Sequence, residues 1–600
     1  MIQSTPHSFH IPVMGLAFTI DTPVKVARFG ISSVISIIED ELVEEMREFY
    51  SKDQNLPFTP ISVKEEDYRA RRITAYLDLV HDIVARQMTV MKQEPFEAGK
   101  DITRYFELLP DNSSLRRKYL KAMTMEPGAE RTLFEHELRD SIVAGSIDVN
   151  IMAKVDRTNY APNGEALPAI YCDAMSALRG FANSKLESAV VFSAGYNPRL
   201  YSYVEQFPDF YPDENGRVKK NIILKVSDYR SALIQGKILA KKGIWISEFR
   251  IESGLNCGGH AFATDGMLLG VILEEFKHHR AGLRKELYEL CNASLAAANK
   301  HKFNHPPPVR LTVQGGIGTA EEQNFLLNHF GVDGTGWGSP FLLVPEATNV
   351  DEVTLDQLAT ASKEDYFLSE ASPLGVPFNN FRKSSSEQQR KERIAKGRPG
   401  SPCYKKFLSS DTEFTDQPIC TASRQYQNLK LKQLEASDLS PELREVEAEK
   451  ITSKDCLCEG LGVTVKLTNE MKISHKLSAV TICPGPNLAY FSGKFTLAQM
   501  TGHIYGREQL TNLLKRDNMF VNELVLYIDY LEKEMGKLRV SYTAKKQLYL
   551  EKFRNNLMEG IEYYKGLLPK LETKKEEATI WEGLEEHFTR LSNLFCAAAP

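Results

Sequence analysis

The stretch that decides the fold is Val309-Arg-Leu-Thr-Val-Gln-Gly-Gly-Ile-Gly-Thr319, followed one helical span later by Val332-Asp-Gly-Thr-Gly-Trp-Gly-Ser339. Each is an apolar strand that runs into a glycine-rich turn. Glycine lets backbone N–H groups come close to an anion, and a following helix N-terminus adds partial positive charge. Two such turns in succession match the loops after the seventh and eighth strands of a (β/α)8 barrel, where phosphate groups usually sit.

Working back from that end, short apolar, β-branched runs recur with helical stretches between them, the rhythm of a parallel α/β fold. Strands are expected at Ile11–Leu16, Ile31–Ile38, Ser146–Met152, Ser188–Ser193, Asn221–Val226, Gly243–Ile251, Val309–Gln314 and Val332–Gly338. Several are nearly continuous apolar runs, as suits strands covered on both faces. Eight of them with helical crossovers predict a closed (β/α)8 TIM barrel over residues 1–349, of α/β class; a doubly wound open sheet is the competing arrangement. The span from about Glu39 to Pro127 is too long for a plain crossover and reads as a helical insert, with helical periodicity over Tyr68–Val90.

Beyond the barrel, residues 350–504 form a mixed, cysteine-containing accessory region in which Ser384–Pro402 reads as an exposed loop. Residues 505–600 predict an α-helical C-terminal domain with helices over Asn522–Leu538, Thr543–Leu567 and Thr579–Leu594. Their apolar stripes fit packing on the barrel, on a second copy in a homodimer, or on an electron-donor partner.

The 600 residues are 42% hydrophobic and 26% charged, a globular composition, and the net charge of -5 argues against general nucleic-acid or anionic-membrane binding. No apolar run is long enough to span a bilayer, and Met1–Gly15 lacks the charged and apolar regions of a signal peptide, so the expected location is cytoplasmic.

The second chemical signal is Glu252-Ser-Gly-Leu-Asn-Cys-Gly-Gly-His260, directly after the sixth strand. It puts an imidazole at the C-terminal mouth of the barrel, where catalytic groups gather. With an unperturbed pKa of about 6.5, His260 is suited to proton transfer near neutral pH. Gly258 and Gly259 leave room for a planar ring against the backbone. Lys225, at the end of the fifth strand, can place positive charge near the electron-accepting edge of such a ring.

Taken in order, these elements resemble the nitronate monooxygenases (2-nitropropane dioxygenases) and the related FMN-dependent enoyl reductases. Pro12-Val-Met14-Gly15 with Asp21-Thr-Pro23 and Phe29-Gly-Ile31 is similar to that family's opening strand and helix. Val149-Asn150-Ile151-Met152, Cys257-Gly258-Gly259-His260, Gly315-Gly316-Ile317 and Asp333-Gly334 through Gly338-Ser339 are similar to its later elements. The resemblance implies an FMN with its phosphate on Gly315, Gly316, Gly338 and Ser339, its ring near Met14, Gly15 and Asn150, and His260 as the base that deprotonates a small-molecule carbon acid. Asn256 stands where the family has an acidic residue and Phe262 where a glycine often follows, so the pocket around His260 differs. Cys483-Pro-Gly-Pro-Asn resembles a segment of the larger enoyl reductases of polyunsaturated fatty acid synthesis.

Five of the nine cysteines, Cys403, Cys420, Cys456, Cys458 and Cys483, cluster within the accessory region. Four thiolates are the usual complement of zinc or of a 4Fe-4S iron–sulfur cluster. The spacings fit no CxxC…CxxC pattern, and ordinary buried cysteines are the competing reading.

The sequence therefore predicts an FMN-dependent oxidoreductase resembling nitronate monooxygenase, with oxygen reoxidising the flavin. The alternatives are a reductase of an enoyl-type substrate, drawing on a nicotinamide or iron–sulfur donor, and a flavin- or phosphate-binding scaffold without turnover.

Overall fold

The computed structural model describes residues 5–152, 156–161, 163–193, 195–256, 265–402, 404–473, 477–511, 516–540, 543–567 and 574–596. Eight parallel strands close into a barrel in chain order: β1 (Phe9–Ile11), β2 (Ser32–Ser36), β3 (Ile147–Ile151), β4 (Ala189–Phe192), β5 (Asn221–Val226), β6 (Ile246–Glu252), β7 (Arg310–Gln314) and β8 (Gly334–Gly336). Pairing of Phe9 with Thr335 and His10 with Gly336 seals β1 to β8, so the open-sheet alternative is excluded. The first strand lies earlier than its apolar run suggests. Partners on β2 and β8 select Phe9–Ile11, and Gly15, at φ +57°, turns the chain out of the extended run.

Alternation along the strands splits the barrel into two faces. Outward side chains such as Val149, Val190, Leu224, Ile251 and Val313 join the main core under the helices. Inward, Val13, Val34, Ala189, Val191 and Ile223 form a small separate apolar cluster. Most other inward positions on β3, β5, β6 and β7 are polar, including Asp148, Asn150, Lys225, Glu248, Arg250, Glu252, Thr312 and Gln314. Such an interior can hold a polar ligand, and it demands partners for each buried charge.

The insert between β2 and β3 comprises the helices Asp40–Asp53, Tyr68–Gln93, Asp101–Leu108, Ser114–Met123 and Ala129–Ser141, and so extends past Pro127. Buried charges tie it to the barrel. Asp40 accepts from Arg69 Nε and Arg72 Nη1, each at 2.9 Å, and Arg69 also pairs with Asp173 at the start of the helix Asp173–Ala182.

Ser384–Pro402 is not a loop throughout: Ser385–Ala395 is a helix. Ser384 caps it by accepting the Glu387 N–H, and Arg390 pairs with Glu387 three residues earlier. Its charged composition hides it from an apolar-stripe search. Nearby, β9 (Tyr366–Ser369) and β10 (Phe378–Phe381) form an antiparallel pair.

The C-terminal helices are Met519–Val540, Ala544–Leu567 and Lys574–Cys596. They pack on the barrel of the same chain. A Cβ on Gly254 would meet the Tyr527 ring at 2.4 Å, and one on Gly270 would meet Tyr564 at the same distance. Among the described residues no helix is long and apolar enough to cross a membrane.

Candidate active site at the barrel mouth

The glycine turn after β7 is set by close approach. Gly315 and Gly316 have φ of +105° and +80°. A Cβ on Gly315 would lie 2.9 Å from Asn256 Cα, and one on Gly316 would lie 2.6 Å from a Leu255 methyl. Only glycine accepts both the backbone angle and the contact. Across from it, Ser339 is buried, and its Oγ accepts the N–H of Gly485 at 2.8 Å. The N–H groups of Gly316, Ile317, Gly338 and Ser339 donate to none of the described residues. Four such donors on consecutive turns are the chemistry of an anion cup.

The far side of the same turn is locked by residues remote in sequence. Arg516 pairs with Glu322 at 2.7 Å and donates from Nη2 to the Gly316 carbonyl at 2.8 Å. Glu322 accepts the N–H groups of Gly318 at 2.8 Å and Met519 at 2.6 Å. Asn487 donates to the Ile317 carbonyl and accepts from Arg516 Nε. Glu322 lies in the first turn of the helix Ala320–His329, so it also complements the helix N-terminus.

Deeper in the mouth stands Asn150, at the end of β3. It is fully buried, and among the described residues neither its Oδ1 nor its Nδ2 has a hydrogen-bond partner. Buried side-chain amides seldom go unpaired, because each lost bond costs about 1–3 kcal/mol. Lys225 pairs with Glu252 at 2.8 Å, and Gln314 Nε2 donates to the same carboxylate at 2.9 Å. Glu252 therefore neutralises Lys225, a partnership the sequence reading did not anticipate. Met14 is buried in the main core with its N–H on Thr19 Oγ1 at 3.2 Å, and Gly15 lies beneath Leu461.

This donor set fits parts of FMN: an unpaired amide for the polar edge of a ring, and four bare N–H groups for a phosphate. The room above the cup is narrow. Leu255 and Asn256 stand against Gly315 and Gly316, and a Cβ on Gly485 would lie 2.8 Å from Ser339 Oγ.

Cys257, Gly258, Gly259, His260 and Phe262 lie outside the described residues. What precedes them is well anchored, since Glu523 holds Ser253 and Gly254. Beside Leu255 lies a cavity of about 250 Å³ whose walls include Tyr366, Phe367, Asn379, Tyr490 and Tyr530. Asn379 Nδ2 donates to the Asn256 carbonyl at 3.3 Å. An aromatic cavity with amide groups suits a largely apolar substrate carrying one polar function.

Neither a protein-family profile nor a curated protein matches the sequence. The chain is similar to an enoyl reductase domain. That solved structure, the enoyl reductase domain of MlnA from the macrolactin biosynthesis cluster of Bacillus amyloliquefaciens, is 13% identical in sequence, with a TM-score of 0.32. The match covers 63% of this chain and 84% of that one.

The cysteines do not assemble a metal centre in what is described. No group of three or more His, Cys, Asp or Glu side chains among the described residues could hold a metal ion. Cys483 packs in an apolar cluster with Ala371, Phe378 and Leu457, while Cys456 and Cys458 flank the start of the short helix Leu457–Gly460. Cys420 is buried elsewhere in the accessory region, and Cys403 lies outside the described residues.

Proposed function

We propose that this chain is an FMN-dependent oxidoreductase working at the C-terminal mouth of its barrel. The observation that carries this reading is the fully buried, unpartnered Asn150 amide in the same mouth as the bare N–H groups of Gly316, Ile317, Gly338 and Ser339. FMN would supply two-electron redox chemistry there. Gly315, Gly316, Gly338 and Ser339 would hold its phosphate, and Asn150 would bond the polar edge of its ring. The Lys225–Glu252–Gln314 chain orders the neighbouring barrel wall. His260 would move the substrate proton, and the cavity beside Leu255 would seat the substrate.

Two directions of chemistry use this arrangement. In one, His260 removes a proton from a carbon acid and oxygen serves as the final oxidant, as in nitronate monooxygenases. In the other, FMN held by the same residues would supply electrons, drawn from a nicotinamide or iron–sulfur donor, to an enoyl-type substrate, and His260 would supply or orient the proton. The two separate on whether oxygen or an enoyl thioester reoxidises the reduced protein faster.

A second reading has its own observation. Leu255, Asn256 and Gly485 crowd the glycine turns, as expected of a barrel that keeps the fold without turnover. An absorbance spectrum of protein purified without oxygen, with an iron assay on the same sample, separates the readings. Flavin bands that persist in His260→Ala, together with lost turnover, support the enzyme. Folded protein that takes up no flavin leaves the scaffold. Iron with flavin would return Cys403, Cys420, Cys456, Cys458 and Cys483 to consideration as cluster ligands.

A further inference from the structure

The barrel is not filled at its N-terminal end. A (β/α)8 interior is ordinarily packed in layers by bulky branched side chains. Here the side chains at the entering ends of β2, β4, β5 and β6 include Ser32, Ala189, Asn221 and Ser247, all small or polar. They border a cavity of about 720 Å³, at the opposite end of the barrel from the glycine turns, that reaches out to Val84 and Met88 of the insert. That volume lies within the range of small-molecule pockets, roughly 300–1,000 Å³.

Its charge is set from inside. Arg250 and Arg310 both reach this cavity. Arg250 is 3% exposed and spends Nε and Nη2 on a single oxygen of Glu248, each at 2.8 Å. Its Nη1 bonds to none of the described residues. Arg310 approaches Glu248 only to 3.7 Å. Ser188, on the same wall and 8% exposed, has a hydroxyl with no partner among the described residues.

Both carboxylates at this end of the barrel are already engaged. Burial opposes ionisation of Glu248, but Arg250 and Arg310 outweigh it and hold the pKa at about 2, so it contributes one full negative charge. Asp148 is shifted upward by burial, and it already accepts from Ser146 Oγ and the Ala189 N–H. The rim cations Lys185, Arg217 and Lys219 are matched by Asp82, Glu187 and Asp209. Guanidinium N–H groups of Arg250 and Arg310 therefore remain to face the cavity.

We propose that this N-terminal cavity binds a small molecule bearing an oxyanion, a carboxylate or a phosphate, on Arg250 and Arg310, with Ser188 as a hydrogen-bonding partner. The site is independent of the barrel mouth and of any flavin there.

Isothermal titration of the full chain at low ionic strength tests this, with inorganic phosphate and malonate as separate probes. At least one probe binds, and which one is tighter tells phosphate from carboxylate. Arg310→Gln weakens that binding about tenfold or more, as loss of a charge-assisted bond predicts. Ser188→Met, which fills the cavity, weakens it as well, while Lys494→Gln, on the surface and in neither site, leaves it unchanged. Melting curves confirm that each variant is folded. The proposal is overturned if neither probe binds, or if Arg310→Gln and Ser188→Met bind as the parent does.

Discussion

Glu523, on the C-terminal helix Met519–Val540, accepts the backbone N–H of Leu269 at 2.7 Å across 254 residues of sequence. Leu269 opens the helix Leu269–Ala297, so its N–H has no partner within that helix. The other carboxylate oxygen of Glu523 accepts from Ser253 Oγ at 2.7 Å and from the Gly254 N–H at 3.1 Å. One buried side chain thus fixes the last turn of chain before Cys257–His260 and the first helical residue after it. The C-terminal bundle thereby braces the segment on which the proposed chemistry depends.

Glu523→Gln keeps the shape of the side chain but replaces one acceptor oxygen with a donor facing N–H groups. Stability is expected to fall by about 1–3 kcal/mol, with faster amide exchange at Gly254 or Leu269. A melting curve and hydrogen-exchange mass spectrometry read both. Unchanged exchange at both amides would refute the bracing role.

Asn150→Leu separates a ligand-binding amide from a structural one. Because the amide has no partner among the described residues, the isosteric change should leave the melting temperature of cofactor-free protein level or raise it. Flavin retention should fall about tenfold or more, as read by equilibrium dialysis. A large loss of stability without flavin would show that Asn150 serves the fold instead.

Arg516 is 8% exposed at its side chain, and its partner Glu322 is 3% exposed. Arg516→Met would leave that carboxylate buried and without its cation, at a cost of about 3–5 kcal/mol. The double variant Arg516→Met with Glu322→Gln should recover a good part of the loss. Denaturant unfolding of both single variants, the double variant and the parent measures this coupling.

His7 is buried, with Nδ1 on the Tyr505 hydroxyl at 2.8 Å and Nε2 on the Phe29 carbonyl at 3.1 Å. Burial lowers its pKa from 6.5 to about 4, with Arg507 adding to the shift and the Phe29 carbonyl opposing it. Between those values the unfolded chain binds the proton and the folded chain does not. Stability is therefore present above pH 6.5 and is lost as the pH falls toward 4, by on the order of 3 kcal/mol for this residue. Melting temperatures across that window should fall more steeply in the parent than in His7→Gln. His10 and His503 are also lowered chiefly by burial and leave a residual slope in the variant.

Much of the barrel was legible because strand length and apolar runs are local properties. Asn221–Val226 was placed to the residue and six other strands with small shifts at their ends, while the first strand shares only Ile11 with its expected span. The helix Ser385–Ala395 was not, since its charged residues form no apolar stripe and its cap is a single serine. At the mouth, the glycines stand out by their spacing and Lys225 by its place at a strand end, while Asn150 was pointed to only by the resemblance to flavin enzymes. Glu252 was visible as a residue but not as the partner of Lys225, because that pairing follows from the β5–β6 register.

By itself the sequence determined the alternation of strands and helices, the two glycine turns, and the helical character of the C-terminal hundred residues. These follow from backbone propensity and side-chain periodicity within a few turns of chain. Closure of β1 on β8, the Arg516–Glu322 lock on the Gly315–Gly318 turn and the hold of Glu523 on Leu269 were decided only in three dimensions. Each joins residues nearly 200 or more positions apart, and each answers a demand that arises only on burial: a hydrogen-bonding group or charge shut away from water needs a partner, and folding alone selects which one.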